Sequence, residues 1–170
     1  MRILADLHVH TLASGHAYST IGEIAAAAAA KQLELVAITD HGPAMPGGPH
    51  EYYFGNLRVL PAEIGGVTIL RGAEVNILDE QGRLDLQEGY LKQLDIVLVG
   101  LHNFCMELLC RERNTRALIH AMQNPSVDIV VHPGNPDFPI VLEEVVSAAK
   151  QLGKAIFWMN RAGLICRKDI

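Results

Sequence analysis

The sequence predicts an α/β protein in which parallel strands are joined by helices, and three observations carry that prediction. Six short runs rich in Val and Ile alternate with helix-like stretches. A capping box stands ahead of an alanine tract, where only a helix suits the composition. Most of the histidines fall at or just past the ends of the apolar runs. Strand-helix alternation with right-handed crossovers leaves two architectures, a doubly wound sheet or a barrel.

The elements follow in order. Ile3 to Leu7 is the first strand, delivering Asp6, His8 and His10 at alternate positions, hence on one face. Thr20 and Glu23 cap the helix that carries Ala25 to Ala30. Leu35 to Thr39 is the second strand, Val67 to Val75 the third and Ile96 to Leu101 the fourth. Asn114 is placed as the cap of a helix running to Met122, with His120 on its solvated face. Ile129 to Val131 is the fifth strand. A helix over Leu142 to Leu152 lies between Pro139 and Gly153, and Ala155 to Met159 is the sixth strand. No internal repeat or linker breaks the chain, so residues 1–170 read as a single domain.

Composition narrows the function. With 49% hydrophobic and 19% charged residues the chain can bury a core. Its longest apolar runs, such as Ile96 to Val99, are too short for a bilayer, and Asp6 stands where a signal peptide needs apolar residues, so a cytoplasmic protein is expected. Cys105, Cys110 and Cys166 form no C-x-x-C pair and are expected to be inert thiols. A formal net charge of −5 without a basic run argues against a nucleic-acid or membrane surface.

His8, His10, His41, His102 and His132 sit at strand ends, Glu74 near the end of the third strand, and His16 in the loop after the first. The C-terminal rim of parallel strands is where α/β proteins assemble active sites, so these seven are expected to gather there as metal ligands. Neutral imidazole binds zinc, iron or nickel, and a carboxylate can bridge two cations. Such a set suits phosphoryl transfer, in which a metal-activated water attacks while neighbouring cations neutralise phosphate oxygens. Zinc is the first choice, with iron or manganese open. Asp6 and Asp40 are expected behind the ligands, orienting imidazoles, although Asp40 also suits capping the turn after its strand. His50, Arg71 and Asn135 are candidate phosphate contacts. For the segment that carries His50 an ordinary surface loop is the competing reading, for Arg71 an ion pair, and for Asn135 a turn.

Five motifs, Asp6-Leu7-His8-Val9-His10-Thr11, Ile38-Thr39-Asp40-His41-Gly42, Arg71-Gly72-Ala73-Glu74, Gly100-Leu101-His102 and Val131-His132-Pro133-Gly134-Asn135-Pro136, resemble the PHP (polymerase and histidinol phosphatase) superfamily. With His16-Ala17-Tyr18-Ser19-Thr20, the chain is most similar to its stand-alone bacterial phosphatases of the YcdX type. The resemblance implies a distorted β/α barrel of seven strands, here with six and incomplete, and a trinuclear site, usually zinc, that hydrolyses phosphomonoesters. It assigns His8, His10 and Glu74 to one metal, Glu74, His102 and His132 to a second, and His16 and His41 to the third, with Glu74 as the bridge. The family adds ligands from an Asp-x-His motif, whereas here Asp169 is followed only by Ile170, and Phe157 stands where a glutamate is expected. A truncated reading of a longer protein accounts for both departures, and the short chain is then expected to be poorly active and poorly stable.

A small phosphorylated substrate is therefore expected, with no nucleic acid or membrane as partner and oligomerisation open. A nuclease or proofreading module ranks second and a catalytically impaired metal-binding remnant third. An amidohydrolase ranks fourth, because such enzymes commonly bridge their metals with a lysine where this chain offers Glu74.

Overall fold

The computed structural model describes residues 3–160 and 163–164; Cys166 and Asp169 lie outside them. The chain divides into two compact units, one of residues 1–74 and 86–97, the other of residues 75–85 and 98–170.

In the first unit, β1 (Ala5–Val9) pairs in parallel with β2 (Leu35–Ile38). Between them lies α1 (Ile21–Ala30), whose capping box forms as expected, Thr20 accepting from the Glu23 N–H and Glu23 from the Thr20 N–H. Ala25 and Ala28 turn inward against Val36, Ile38, Val67 and Ile69. Small side chains let the helix backbone approach the strands closely, which is the use of the alanine tract. A short α2 (Tyr52–Asn56) follows the Gly/Pro-rich loop, and β3 (Glu63–Ile64) makes an antiparallel hairpin with β4 (Val67–Asn76). β2 pairs with β4 in parallel from Leu35↔Thr68 to Ile38↔Arg71. After a turn of helix, α3 (Glu88–Leu91), the chain enters β5 (Ile96–Gly100), and the Asp95 N–H bonds the Arg71 carbonyl.

In the second unit the Ile77 N–H donates to the Gly100 carbonyl, and β5 pairs in parallel with β6 (Ile129–Val131) through Leu98↔Ile129. α4 (Arg111–Met122) packs on α5 (Leu142–Leu152), where the Val141 N–H donates to Thr115 Oγ1. Gly153 ends α5 in the left-handed conformation. β7 (Ala155–Phe157) pairs in parallel with β6, and β8 (Met159–Asn160) and β9 (Gly163–Leu164) make a small antiparallel pair.

The strand order is β1-β2-β4-β5-β6-β7. A doubly wound sheet reverses its order at a switch point; these strands follow one another without reversal, which is barrel-type winding. The six expected strands all form, the third counted here as β4. Two local expectations change. β1 is shifted two residues toward its C-terminal end, so it carries His8 within it. Helix α4 begins at Arg111, with Cys110 in the cap position. Asn114 lies inside that helix, and its Nδ2 donates to the carbonyls of Leu109 and Pro139.

Candidate metal centre

Along β1, Asp6 lies opposite Val36 and Val9 opposite Ile38, so β1 has one more residue between the pairs than β2 has. The extra residue is a bulge. Asp6 Oδ1 accepts the His8 N–H at 3.2 Å, so this carboxylate holds the backbone of the bulge. A bulge re-aims the side chains beyond it, and His8 and His10 meet with ring centroids 5.0 Å apart.

The turn after β2 brings in the next ligands. The Glu74 N–H donates to the Asp40 carbonyl and the Gly42 N–H to the Glu74 carbonyl, setting His41 opposite Glu74. Glu74 is fully buried. Its Oε2 lies 3.0 Å from His8 Nε2, 3.0 Å from His10 Nε2 and 3.4 Å from His41 Nδ1, while the two Nε2 atoms are 3.1 Å apart. His16 joins from the loop, its ring 5.1 Å from those of His10 and His41. One nitrogen from each of His10, His16 and His41 falls within 4.8 Å of the others.

This donor set fits a divalent transition metal. Tetrahedral ligands about 2.0–2.1 Å from zinc lie a little over 3 Å from one another, close to the edges of the triangle formed by His8, His10 and Glu74. Three imidazoles around one buried carboxylate, with a fourth beside them, is also ligand chemistry that zinc, iron and manganese accept.

Asp40 is buried behind this group and accepts four hydrogen bonds. Oδ1 takes the Thr11 N–H at 2.7 Å and the Ser14 hydroxyl at 2.6 Å; Oδ2 takes the Thr11 hydroxyl at 2.8 Å and the Tyr53 phenol at 2.6 Å. Burial, and then the charge and hydrogen bond of Asp40, push the Tyr53 pKa well above the ordinary tyrosine value. Asp40 therefore organises the loop after β1. Sequence reasoning missed Thr11, Ser14 and Tyr53; the one signal for Ser14 was its place four residues after His10.

In the second unit, His102 and His132 pack edge to face with centroids 5.1 Å apart. Gly100 makes the space, since a Cβ there would lie 2.8 Å from His102 Cε1. His132 adopts φ 34°, a left-handed conformation that costs a residue other than glycine about 1–3 kcal/mol. Such strain clusters at functional sites.

The candidate phosphate contacts fare differently. Arg71 is held by Asp95 through Nε at 2.7 Å and a second guanidinium nitrogen at 2.8 Å, and this pairing raises the Arg71 pKa and lowers that of Asp95. Asn135 Oδ1 accepts the Asp137 N–H, closing a turn. His50 is exposed, its Nδ1 accepting the Tyr52 N–H. His120 is exposed on α4 as expected and donates from Nδ1 to the Glu80 carbonyl at 2.9 Å. No helix among the described residues is long and apolar enough to cross a membrane.

The family model for the PHP domain matches residues 6–132. A protein of Caldanaerobacter subterraneus subsp. tengcongensis named "Probable phosphatase" is 56% identical over 169 residues, covering 99% of this chain and 66% of the relative. One of Acetivibrio thermocellus with the same name is 51% identical, covering 99% and 69%, and one of Clostridium novyi is 50% identical, covering 89% and 62%. The chain thus spans about two thirds of the length of these relatives. With the family model matched from the first histidine-bearing strand to His132, the chain belongs to the PHP domain family.

Proposed function

We propose that this chain binds divalent metal and serves a phosphoesterase, hydrolysing a small phosphomonoester with water as nucleophile. The observation that carries the reading is the convergence of His8 Nε2 and His10 Nε2 on the buried Glu74 Oε2 at 3.0 Å. The names of the relatives supply the phosphatase half of it. Zinc is the proposed metal, at up to three positions, with iron or manganese as substitutes. When bound, such cations supply Lewis acidity to phosphate oxygens and lower the pKa of water near neutrality.

The chain's own residues do the holding. His8, His10 and Glu74 bind one cation, and His16 and His41 take another. His102 and His132 are proposed ligands of a further cation, as the resemblance implies, with Glu74 a ligand shared by two. Glu74 offsets part of the cationic charge, so the site still attracts a phosphate dianion although the chain is acidic overall. Of the three candidate phosphate contacts, His50 is retained, because Arg71 is engaged by Asp95 and Asn135 by its turn. A cytoplasmic setting without nucleic acid or membrane partners is part of the proposal.

The test is elemental analysis of the purified chain with hydrolysis of a generic aryl phosphate and of single-stranded DNA. Bound transition metal and turnover of the aryl phosphate alone are expected. A folded protein that holds no metal and takes up neither zinc, iron nor manganese sinks the proposal; DNA cleavage without aryl phosphate turnover replaces it with the nuclease reading.

A further inference from the structure

We propose that Ser14 is a positioning residue that fixes the tautomers of two histidines, so that His10 and His16 each present Nε2 to a cation. The inference deepens the metal-binding reading above and rests on it.

The argument is an inventory of one hydroxyl. A serine Oγ has one proton to give and two lone pairs to accept with. The proton of Ser14 goes to Asp40 Oδ1 at 2.6 Å. Asp40 cannot return a proton, since its oxygens receive four donors and an ionised carboxylate only accepts. One Ser14 lone pair receives the His41 N–H at 3.1 Å. What remains of Ser14 Oγ faces His10 Nδ1 at 3.2 Å and can only accept. His10 must therefore carry its proton on Nδ1. A neutral imidazole has a single N–H, so His10 Nε2 turns a lone pair toward Glu74 Oε2 and His8 Nε2, 3.0 and 3.1 Å away. The His10 lone pair and a carboxylate oxygen at that range repel one another, and a cation between them removes the conflict.

The Ser14 backbone repeats the device. Its carbonyl lies 3.2 Å from His16 Nδ1. A carbonyl only accepts, so His16 is also protonated on Nδ1 and offers Nε2. Ser14 is fully buried in the 3-10 turn Leu12–Ser14, in which the Leu12 N–H donates to the Ser19 carbonyl, the Ala13 N–H to Thr11 Oγ1 and the Ser14 N–H to the Thr11 carbonyl. The turn thus holds both acceptor atoms of one residue against two imidazoles. Ligating histidines commonly bond an acceptor through the second nitrogen, which sets the tautomer; here one serine serves two of them.

The experiment reads the nitrogens directly. Long-range proton-nitrogen spectra of the 15N-labelled chain, loaded with zinc above about pH 8 where an ordinary imidazole is neutral, should show His10 and His16 protonated at Nδ1 and bound through Nε2. Ser14→Ala should lower zinc affinity about tenfold to a hundredfold, and Ser14→Thr, which keeps the hydroxyl, should restore most of it. Binding of His10 or His16 through Nδ1 overturns the proposal, as does zinc affinity in Ser14→Ala within about twofold of wild type. If Ser14→Ala does not fold, the wild-type spectrum alone decides. Should the wild type take up no zinc, the metal reading falls, and the metal-free spectrum still judges the tautomers: Nδ1–H at both histidines supports the role of Ser14, and Nε2–H at either refutes it.

Discussion

The Tyr53 phenol is held by a carboxylate that already has three other donors, and its ionisation must oppose both burial and the charge of Asp40. The folded pKa therefore lies above the unfolded value. Stability from the neutral phenol is fully present below about pH 10, the unfolded tyrosine value, and is lost as pH rises beyond it. Tyr53→Phe should cost roughly 1.5–3 kcal/mol in urea unfolding near neutrality, the net worth of a hydrogen bond to a charged group, and the gap to wild type should narrow above about pH 10. A gap that stays constant into that range would refute the assignment. At this scale the sequence was readable where the residue type is itself the chemistry: His8, His10, His16, His41 and Glu74 are brought together as their positions implied. Thr11, Ser14 and Tyr53 were not readable, because an alcohol means little until a buried carboxylate from another element stands beside it.

Between residue and fold lie the elements, and two of them show what periodicity leaves out. Alternation in the first strand put Asp6, His8 and His10 on one face, yet the bulge turns Asp6 to its own backbone. A bulge depends on the partner strand, so no local pattern encodes it. Asn114 has the composition of a cap, which drew the expected start of α4 four residues too far along; its amide in fact bonds the carbonyls of Leu109, just ahead of that helix, and Pro139, just ahead of α5. It is fully buried. Asn114→Ala should therefore leave two carbonyls short of a donor and destabilise the chain by about 1–3 kcal/mol, with zinc content unchanged. Urea unfolding and elemental analysis check the two halves; a loss of metal would mean that Asn114 acts on the site and not only on the helices.

For the molecule as a whole, the strand order was largely legible, since sequential βα units allow few windings, and the choice between doubly wound and barrel-type order needed the pairing itself. The same topology sets the final prediction. His8, His10, His16, His41 and Glu74 come from two strands and the segments that follow β1 and β2, up to 66 residues apart, so the unfolded chain cannot gather them and a cation binds the folded state by preference. Binding to the native state alone adds about 2.7 kcal/mol at a free concentration a hundredfold above Kd. For a chain of this size that is roughly a 5–10 °C rise in Tm, and weak binding of zinc to the 8 histidines of the unfolded chain reduces it. Zinc should therefore raise Tm and a chelator reverse the gain. Glu74→Gln, which removes the charge at the centre of the cluster, should abolish most of the shift, and His120→Ala, on the exposed face of α4, should leave it intact. Calorimetry of the three chains with and without zinc decides the matter, and a wild type whose Tm does not move with zinc would mean that these side chains are bound to one another and not to a metal.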